Sequence, residues 1–188
     1  MLLIGVTGTL GSGKGTVVEF LKEKGFAHYS MSGFIAEEVR RRNLPVSRDT
    51  LTVVGDDLRT KHSPSFIAQE VYKRAMERGE NAIIEALHAT AEAEILKTKK
   101  GFYLFAVDAD PKIRYGRIKE RKSEKDNISF EKFLEDEERE MNSPDPNRQN
   151  IESCMKLADY TFLNNGSKED LRVQVEQALA EIGLPKLD

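Results

Sequence analysis

The chain has 188 residues, of which 39% are hydrophobic and 32% charged, a length that fits one domain with its own core. Its 29 Lys and Arg against 32 Asp and Glu leave a net charge of −3, so nucleic acid and membrane partners are not expected. The single cysteine, Cys154, excludes an internal disulfide and a cysteine-cluster metal site. The apolar run at residues 2–6 is too short for a signal or membrane segment, so we expect a cytoplasmic protein.

Short apolar runs alternate along the chain with longer segments whose apolar residues recur at three- and four-residue spacing. The short runs predict strands at residues 2–6, 26–29, 82–84, 102–107 and 160–163. The longer segments predict helices at residues 14–23, 32–42, 65–78, 111–122 and 168–182. This alternation indicates an α/β fold with a mainly parallel sheet covered on both faces. Binding sites in such folds lie at the carboxyl ends of the strands.

The first strand leads directly into a glycine-rich loop at residues 8–16, followed by an amphipathic helix. Glycines let backbone N–H groups approach an anion closely, and the helix N-terminus adds its positive dipole. Lys14 supplies a full positive charge for the β- and γ-phosphates of a nucleotide. The predicted phosphate-binding residues are Gly11, Ser12, Gly13, Lys14, Gly15 and Thr16. Because Gly15 separates Lys14 from the hydroxyl of Thr16, direct ligation of Mg²⁺ by Thr16 is left open.

The segment at residues 32–80, between the second and third strands, is predicted to bind the phosphoryl acceptor. It is basic in places, and Arg59, followed by Arg40, is the predicted ligand for an acceptor phosphate. Glu85 then ends the third strand, where a carboxylate is placed to hold Mg²⁺ or to orient the acceptor. The alternative is that Glu85 is an ordinary exposed residue at a strand terminus.

Two arginines follow the fourth strand on the predicted helix that begins near residue 111. Arg117 and Arg121 are four residues apart, so they share a face and are predicted to close over a triphosphate. The alternative is a solvated helix that pairs with the acidic stretch at residues 131–140. After the fifth strand, the backbone of Asn165 and Gly166 is predicted to lie against the nucleotide base, or else to form only a turn.

These motifs resemble the P-loop nucleoside-monophosphate-kinase-like family, which includes adenylate kinases and dephospho-CoA kinases. Residues 11–16 are similar to the Gly-Lys-Gly-Thr loop of adenylate kinases, and residues 117–121 to the arginine pair bordering the lid. The resemblance implies a P-loop NTPase fold of three α/β/α layers, with a five-stranded parallel sheet in the order 2-3-1-4-5. It also implies a single kinase domain over residues 1–188 with a short lid near residues 122–128.

The implied activity is transfer of the γ-phosphoryl group of ATP, with Mg²⁺, to a nucleoside-monophosphate-like small molecule. Lys14, Arg117, Arg121 and Glu85 are the predicted catalytic residues, with Thr16 and Glu85 at the metal. Residues 33–37 lack the Asp and Arg found in the acceptor helix of adenylate kinases, which argues against AMP as the acceptor. A dephospho-CoA kinase acting on a ribose hydroxyl, and a nucleotide-binding regulatory module with little turnover, remain alternatives. The protein is expected to be a monomer or a homodimer.

Overall fold

The computed structural model describes residues 1–121 and 128–184. Its strands are β1 (Leu3–Gly8), β2 (Ala27–Ser30), β3 (Ala82–Glu85), β4 (Phe102–Asp108) and β5 (Tyr160–Leu163). They form one five-stranded parallel sheet in the order β2-β3-β1-β4-β5. The predicted fold class and strand order are therefore confirmed.

The described helices are α1 (Lys14–Glu23), α2 (Met31–Arg41), α3 (Arg48–Lys61), α4 (Phe66–Arg78), α5 (Thr90–Lys97), α6 (Pro111–Glu120), α7 (Phe130–Met141), α8 (Ile151–Lys156) and α9 (Lys168–Glu181). Four of them, α3, α5, α7 and α8, were not predicted as helices. Helices α5 and α8 are only 8 and 6 residues long, too short for a clear periodic signal. The predicted lid at residues 122–128 lies, apart from Ile128, outside the described residues.

The core forms two buried clusters, one on each face of the sheet. Alternation along β1 sends Leu3 to one face and Ile4 and Val6 to the other. The first cluster packs under α2, α3, α4, α5 and α8, and the second packs under α1 and α9. Because both faces are covered, the central strand β1 is buried at every position, whereas the edge strands β2 and β5 are partly exposed.

The carboxyl ends of β1, β3 and β4 meet at one edge of the sheet. The strand register sets Val6 beside Glu85 and Gly8 beside Val107, so the loop after β1 lies between the ends of its two neighbours. At the same edge, Ser30 ends β2 and caps α2 by accepting a hydrogen bond from the Gly33 backbone. In the two ranges that the structure describes, no helix is long and apolar enough to cross a membrane.

Candidate active site

The loop between β1 and α1 has the backbone geometry of an anion-binding site. Gly8 and Gly13 adopt φ values of 137° and 107°, a region that strongly favours glycine. A Cβ atom at Gly13 would overlap the side-chain amide of Asn164, so glycine is required there by packing as well. Within residues 1–121 and 128–184, no side chain caps the N-terminus of α1, so a bound anion can take the capping position.

Lys14 lies over this loop and is anchored by it. Its Nζ atom donates hydrogen bonds to the backbone oxygens of Gly8 and Thr9, both at 2.8 Å. Burial lowers the pKa of Lys14 to about 8, and the nearby Glu85 carboxylate opposes that shift while Arg121 adds to it. A bound phosphate would favour the charged ammonium group in the same way as Glu85 does.

A cavity of about 810 Å³ opens in front of the loop, which is within the usual range for a small-molecule site. The predicted site residues on its lining are Gly11, Gly13, Lys14, Gly15, Thr16, Glu85 and Arg121. The same cavity is lined by Phe20 from α1 and by Lys168, Glu169 and Arg172 from α9. The structure therefore brings most of the predicted phosphate and metal residues to one space.

Glu85, at the end of β3, and Thr16, in the first turn of α1, both line this cavity. The Glu85 carboxylate lies 3.0 Å from Nε2 of His28. Ala86, the next residue, has a φ of 70°, an uncommon conformation that turns the chain sharply away from β3. Among the described residues, no group of three or more His, Cys, Asp or Glu side chains could hold a metal. Carboxylate and hydroxyl oxygens nevertheless suit Mg²⁺, which proteins usually bind through one or two groups together with nucleotide phosphates.

Arg117 lies behind the phosphate loop, off the lining of the large cavity. It donates to the backbone oxygen of Asn164 at 2.9 Å, and Asn164 in turn donates from Nδ2 to the backbone oxygen of Ser12 at 2.7 Å. Sequence reasoning missed Asn164, which is buried, and selected its neighbour Asn165. The Asn165 side chain accepts a hydrogen bond from the Asp110 backbone, and neither it nor Gly166 lines the large cavity.

Arg114, one turn before Arg117 on α6, was also missed. Its guanidinium group is buried and donates two 2.8 Å bonds to Glu137 on α7. It also donates to the backbone oxygen of Ala109 at 2.7 Å and reaches that of Leu10 at 3.4 Å. Arg114 therefore ties α7 to the phosphate loop. Its spacing in the sequence is that of any basic helix, so no local signal marked it.

The two predicted acceptor arginines are placed differently from what the sequence indicated. Arg59 is 3% exposed and forms an ion pair with Glu92 at 2.8 Å and with Asp56 at 3.3 Å. Arg40 is exposed near the far end of α2, about 14 Å along the helix from Met31 at 1.5 Å per residue. Arg59 thus lies at a smaller cavity beside Lys14 with its charge already matched, and Arg40 lines none of the described cavities.

Solved structures share this architecture, a shikimate kinase among them. A shikimate kinase from Acinetobacter baumannii superposes with a TM-score of 0.65 at 17% identity, covering 98% of this chain and 96% of that protein. The structure of TT1252 from Thermus thermophilus superposes with a TM-score of 0.61 at 26% identity, covering 96% of this chain and 97% of that one. These neighbours establish a P-loop kinase-like fold.

Sequence relatives extend the likeness over nearly the whole chain. The UPF0200 protein MJ1399 of Methanocaldococcus jannaschii is 29% identical over 185 residues, which cover 97% of this chain and 91% of that protein. A family model described as an AAA domain matches residues 4–143, most of the chain and the whole phosphate loop. The resemblance to P-loop nucleoside-monophosphate-kinase-like proteins is confirmed, and the chain belongs to this AAA domain family.

Proposed function

We propose that this protein, acting as one domain over residues 1–188, transfers the γ-phosphoryl group of ATP to a small-molecule acceptor. The observation that carries the proposal is the position of Lys14, which lines both the large cavity and the smaller one beside it. A nucleotide in the large cavity would place its terminal phosphate at the junction of the two. An acceptor in the smaller cavity would then meet that phosphate.

In the proposed reaction an acceptor oxygen attacks the γ-phosphorus atom and forms a new O–P bond. The bond from that phosphorus to the β–γ bridging oxygen breaks, ADP keeps the electron pair, and the acceptor proton is released. Lys14 and the amides of the phosphate loop stabilise the charge on the transferred group. Arg121 lies on the cavity wall for the same purpose, whereas Arg117 supports the loop through Asn164 and Ser12.

Thr16 and Glu85 are the residues that would hold Mg²⁺ with the nucleotide phosphates, and the ion would supply positive charge at those phosphates. Glu85 also acts electrostatically on Lys14, which lines both cavities, so it is a candidate to orient an acceptor. Asn165 and Gly166 remain predicted contacts of the nucleotide base, and Arg59 and Arg40 predicted contacts of an acceptor phosphate. The geometry gives the weakest support to the two arginines.

The two alternative functions predict different experimental results. A dephospho-CoA kinase would phosphorylate dephospho-CoA in preference to other acceptors. A nucleotide-binding regulatory module would bind ATP tightly in calorimetry, with no ADP formed and no change in affinity when acceptors are added.

The proposal is tested by measuring ADP release from Mg-ATP with a panel of acceptors in a coupled assay. The panel contains nucleosides, sugars, nucleoside monophosphates, deoxynucleotides and dephospho-CoA. ADP formation above the rate without acceptor, lost in Lys14→Met, supports a kinase. Absence of ADP with every acceptor, in protein that still binds ATP, contradicts it.

A further inference from the structure

The smaller cavity beside Lys14, which we call the inner pocket, is built to admit a small group. Its volume is about 130 Å³, whereas pockets for whole drug-sized ligands start at about 300 Å³. Leu10, Ser32, Ala86 and His88 line the inner pocket and the large cavity, so the two meet along this wall. The inner pocket therefore faces the position expected for the terminal phosphate of the nucleotide.

The two arginines on the walls of the inner pocket are already paired with carboxylates, whereas Lys14, which also lines it, is assigned to the nucleotide phosphates. Arg59 lies 2.8 Å from Glu92, a carboxylate with 0% exposure, and Arg48 lies 2.8 Å from Glu140, which also lines the pocket. A phosphate entering here would meet the Glu140 carboxylate. If it drew Arg59 away, it would leave Glu92 buried without a counter-charge, which is strongly unfavourable. The walls thus disfavour an acceptor that brings a phosphate into the pocket.

Two residues that line the inner pocket each carry a buried polar atom without a hydrogen-bond partner within residues 1–121 and 128–184. These atoms are Nε2 of His88 and Oε1 of Gln149. Burial and the nearby cations of Lys14, Arg59 and Arg48 lower the pKa of His88 to about 3, so its imidazole is neutral at physiological pH. Buried polar atoms without partners are costly, and a bound ligand would satisfy them. An uncharged ring nitrogen and an amide oxygen are suited to hydroxyl groups.

We propose that the inner pocket binds the phosphoryl acceptor, and that this acceptor is an uncharged small molecule carrying hydroxyl groups. Gln149 accepts a hydrogen bond from one hydroxyl, and His88 forms a hydrogen bond with another. The inference rests on the proposed kinase function and replaces the nucleoside-monophosphate-like acceptor that the sequence suggested. The acceptor hydroxyl oxygen bonds to the γ-phosphorus, its proton passes to water, and ADP leaves with the electron pair of the broken bond.

The first test compares uncharged acceptors with their phosphorylated counterparts in the ADP assay. Glycerol, ribose, glucose, adenosine and cytidine are paired with glycerol phosphate, ribose phosphate, glucose phosphate, AMP and CMP, and dephospho-CoA is added. At least one uncharged compound is expected to exceed its phosphorylated counterpart by about tenfold or more in kcat/KM, the scale of a well-matched polar site. A preference for a monophosphate or for dephospho-CoA overturns the inference while leaving the kinase proposal intact.

The second test removes the amide of the inner pocket. Gln149→Leu is expected to raise KM for the uncharged acceptor about tenfold, the value of one lost hydrogen bond, without a matching change in KM for ATP. Gln174→Leu on α9, far along the chain from the pocket lining, is the matched control and is expected to leave both KM values unchanged. An unchanged acceptor KM in Gln149→Leu contradicts the assignment.

A binding measurement keeps the inference testable if no compound yields ADP. In that case the kinase proposal fails, and the full chain with isotope-labelled histidine is titrated with the same compounds in the presence of ATP. Uncharged compounds are expected to shift the ring resonances of His88 and to leave those of His62, an exposed histidine stacked on Phe66, in place. Shifts caused only by monophosphates, or no shift with any compound, overturn the inference.

Discussion

The proposed nucleotide side and the proposed acceptor side of this site differ in how their positive charges are paired. On the nucleotide side, Lys14 donates hydrogen bonds to neutral backbone oxygens, and no side chain among the described residues caps α1. On the acceptor side, Arg59 and Arg48 are each fixed by carboxylates within 2.8 Å. The positive charge on the nucleotide side is therefore available to a ligand. The positive charges of the two arginines on the acceptor side are neutralised by carboxylates of the protein. A triphosphate suits the first environment, and an uncharged molecule suits the second.

The largest expected effect comes from removing the charge offered to the nucleotide. Lys14→Met should lower kcat/KM for ATP at least about a hundredfold, because one preorganised donor to the transferred group is lost. Steady-state ADP release measures kcat/KM for ATP. Lys22→Met on the same helix is the control, because Lys22 is 44% exposed and pairs with Glu19 on the surface. A fall of less than tenfold in kcat/KM for ATP in Lys14→Met would contradict the proposed difference in charge between the two sides.

The next largest effect is expected on the free energy of unfolding, when an ion pair on the acceptor side is broken. Arg59→Met leaves the buried Glu92 carboxylate unpaired and should lower the free energy of unfolding by about 3–5 kcal/mol. Urea unfolding measures this, and the double variant Arg59→Met with Glu92→Gln should recover part of the loss. If Arg59 instead binds an acceptor phosphate, Arg59→Met would raise acceptor KM with little change in stability.

The pH dependence of nucleotide affinity tests the state of Lys14. Its folded pKa of about 8 lies below its ordinary value of 10.5, so in the free protein the proton leaves as the pH rises through about 8. If ATP binds the protonated form, affinity should fall about tenfold per pH unit above that point, with proton uptake on binding near pH 8. Calorimetry in buffers of different ionisation enthalpy measures both. The Lys14→Met variant should lack this dependence.

A smaller effect on KM for ATP is expected from substituting Asn164, which lies behind the phosphate loop. Asn164→Ala removes the bond to the Ser12 backbone and should raise KM for ATP about tenfold, with a stability loss of about 1–3 kcal/mol. Asn165→Ala should do less, because within residues 1–121 and 128–184 that side chain bonds the Asp110 backbone and not the phosphate loop. The reverse order would favour the sequence-based assignment of Asn165 to the nucleotide.

The smallest effect is expected for Arg40. Its exposed position near the end of α2 predicts that Arg40→Ala changes stability by less than about 0.5 kcal/mol and leaves acceptor KM unaltered. Thermal unfolding and the acceptor assay measure the two quantities. A fivefold or larger rise in acceptor KM, on the order of 1 kcal/mol, would restore Arg40 as an acceptor ligand.

Local patterns in the sequence were sufficient to predict the parallel sheet and the phosphate loop. The glycine-rich loop could be identified because its function depends on backbone geometry that only particular residue types allow at fixed spacing. The sequence of helix α7 indicates only an acidic stretch. In the structure, its buried face includes Phe133, Asp136 and Glu140. Two of those residues are charged, and their burial depends on Arg48 and other partners far along the chain.

What the sequence by itself determined is the class of protein: a parallel α/β sheet, a phosphate loop and a lysine for a nucleotide. What only the tertiary structure decided is which charges remain available. Arg59, Arg48 and Arg114 look alike in the sequence, and each is committed to a carboxylate 23 to 92 residues away. Pairing at such distances depends on the packing of whole helices, whereas the phosphate loop is local. The sequence therefore located the proposed nucleotide side, and the fold revealed the charge pairing of the proposed acceptor side.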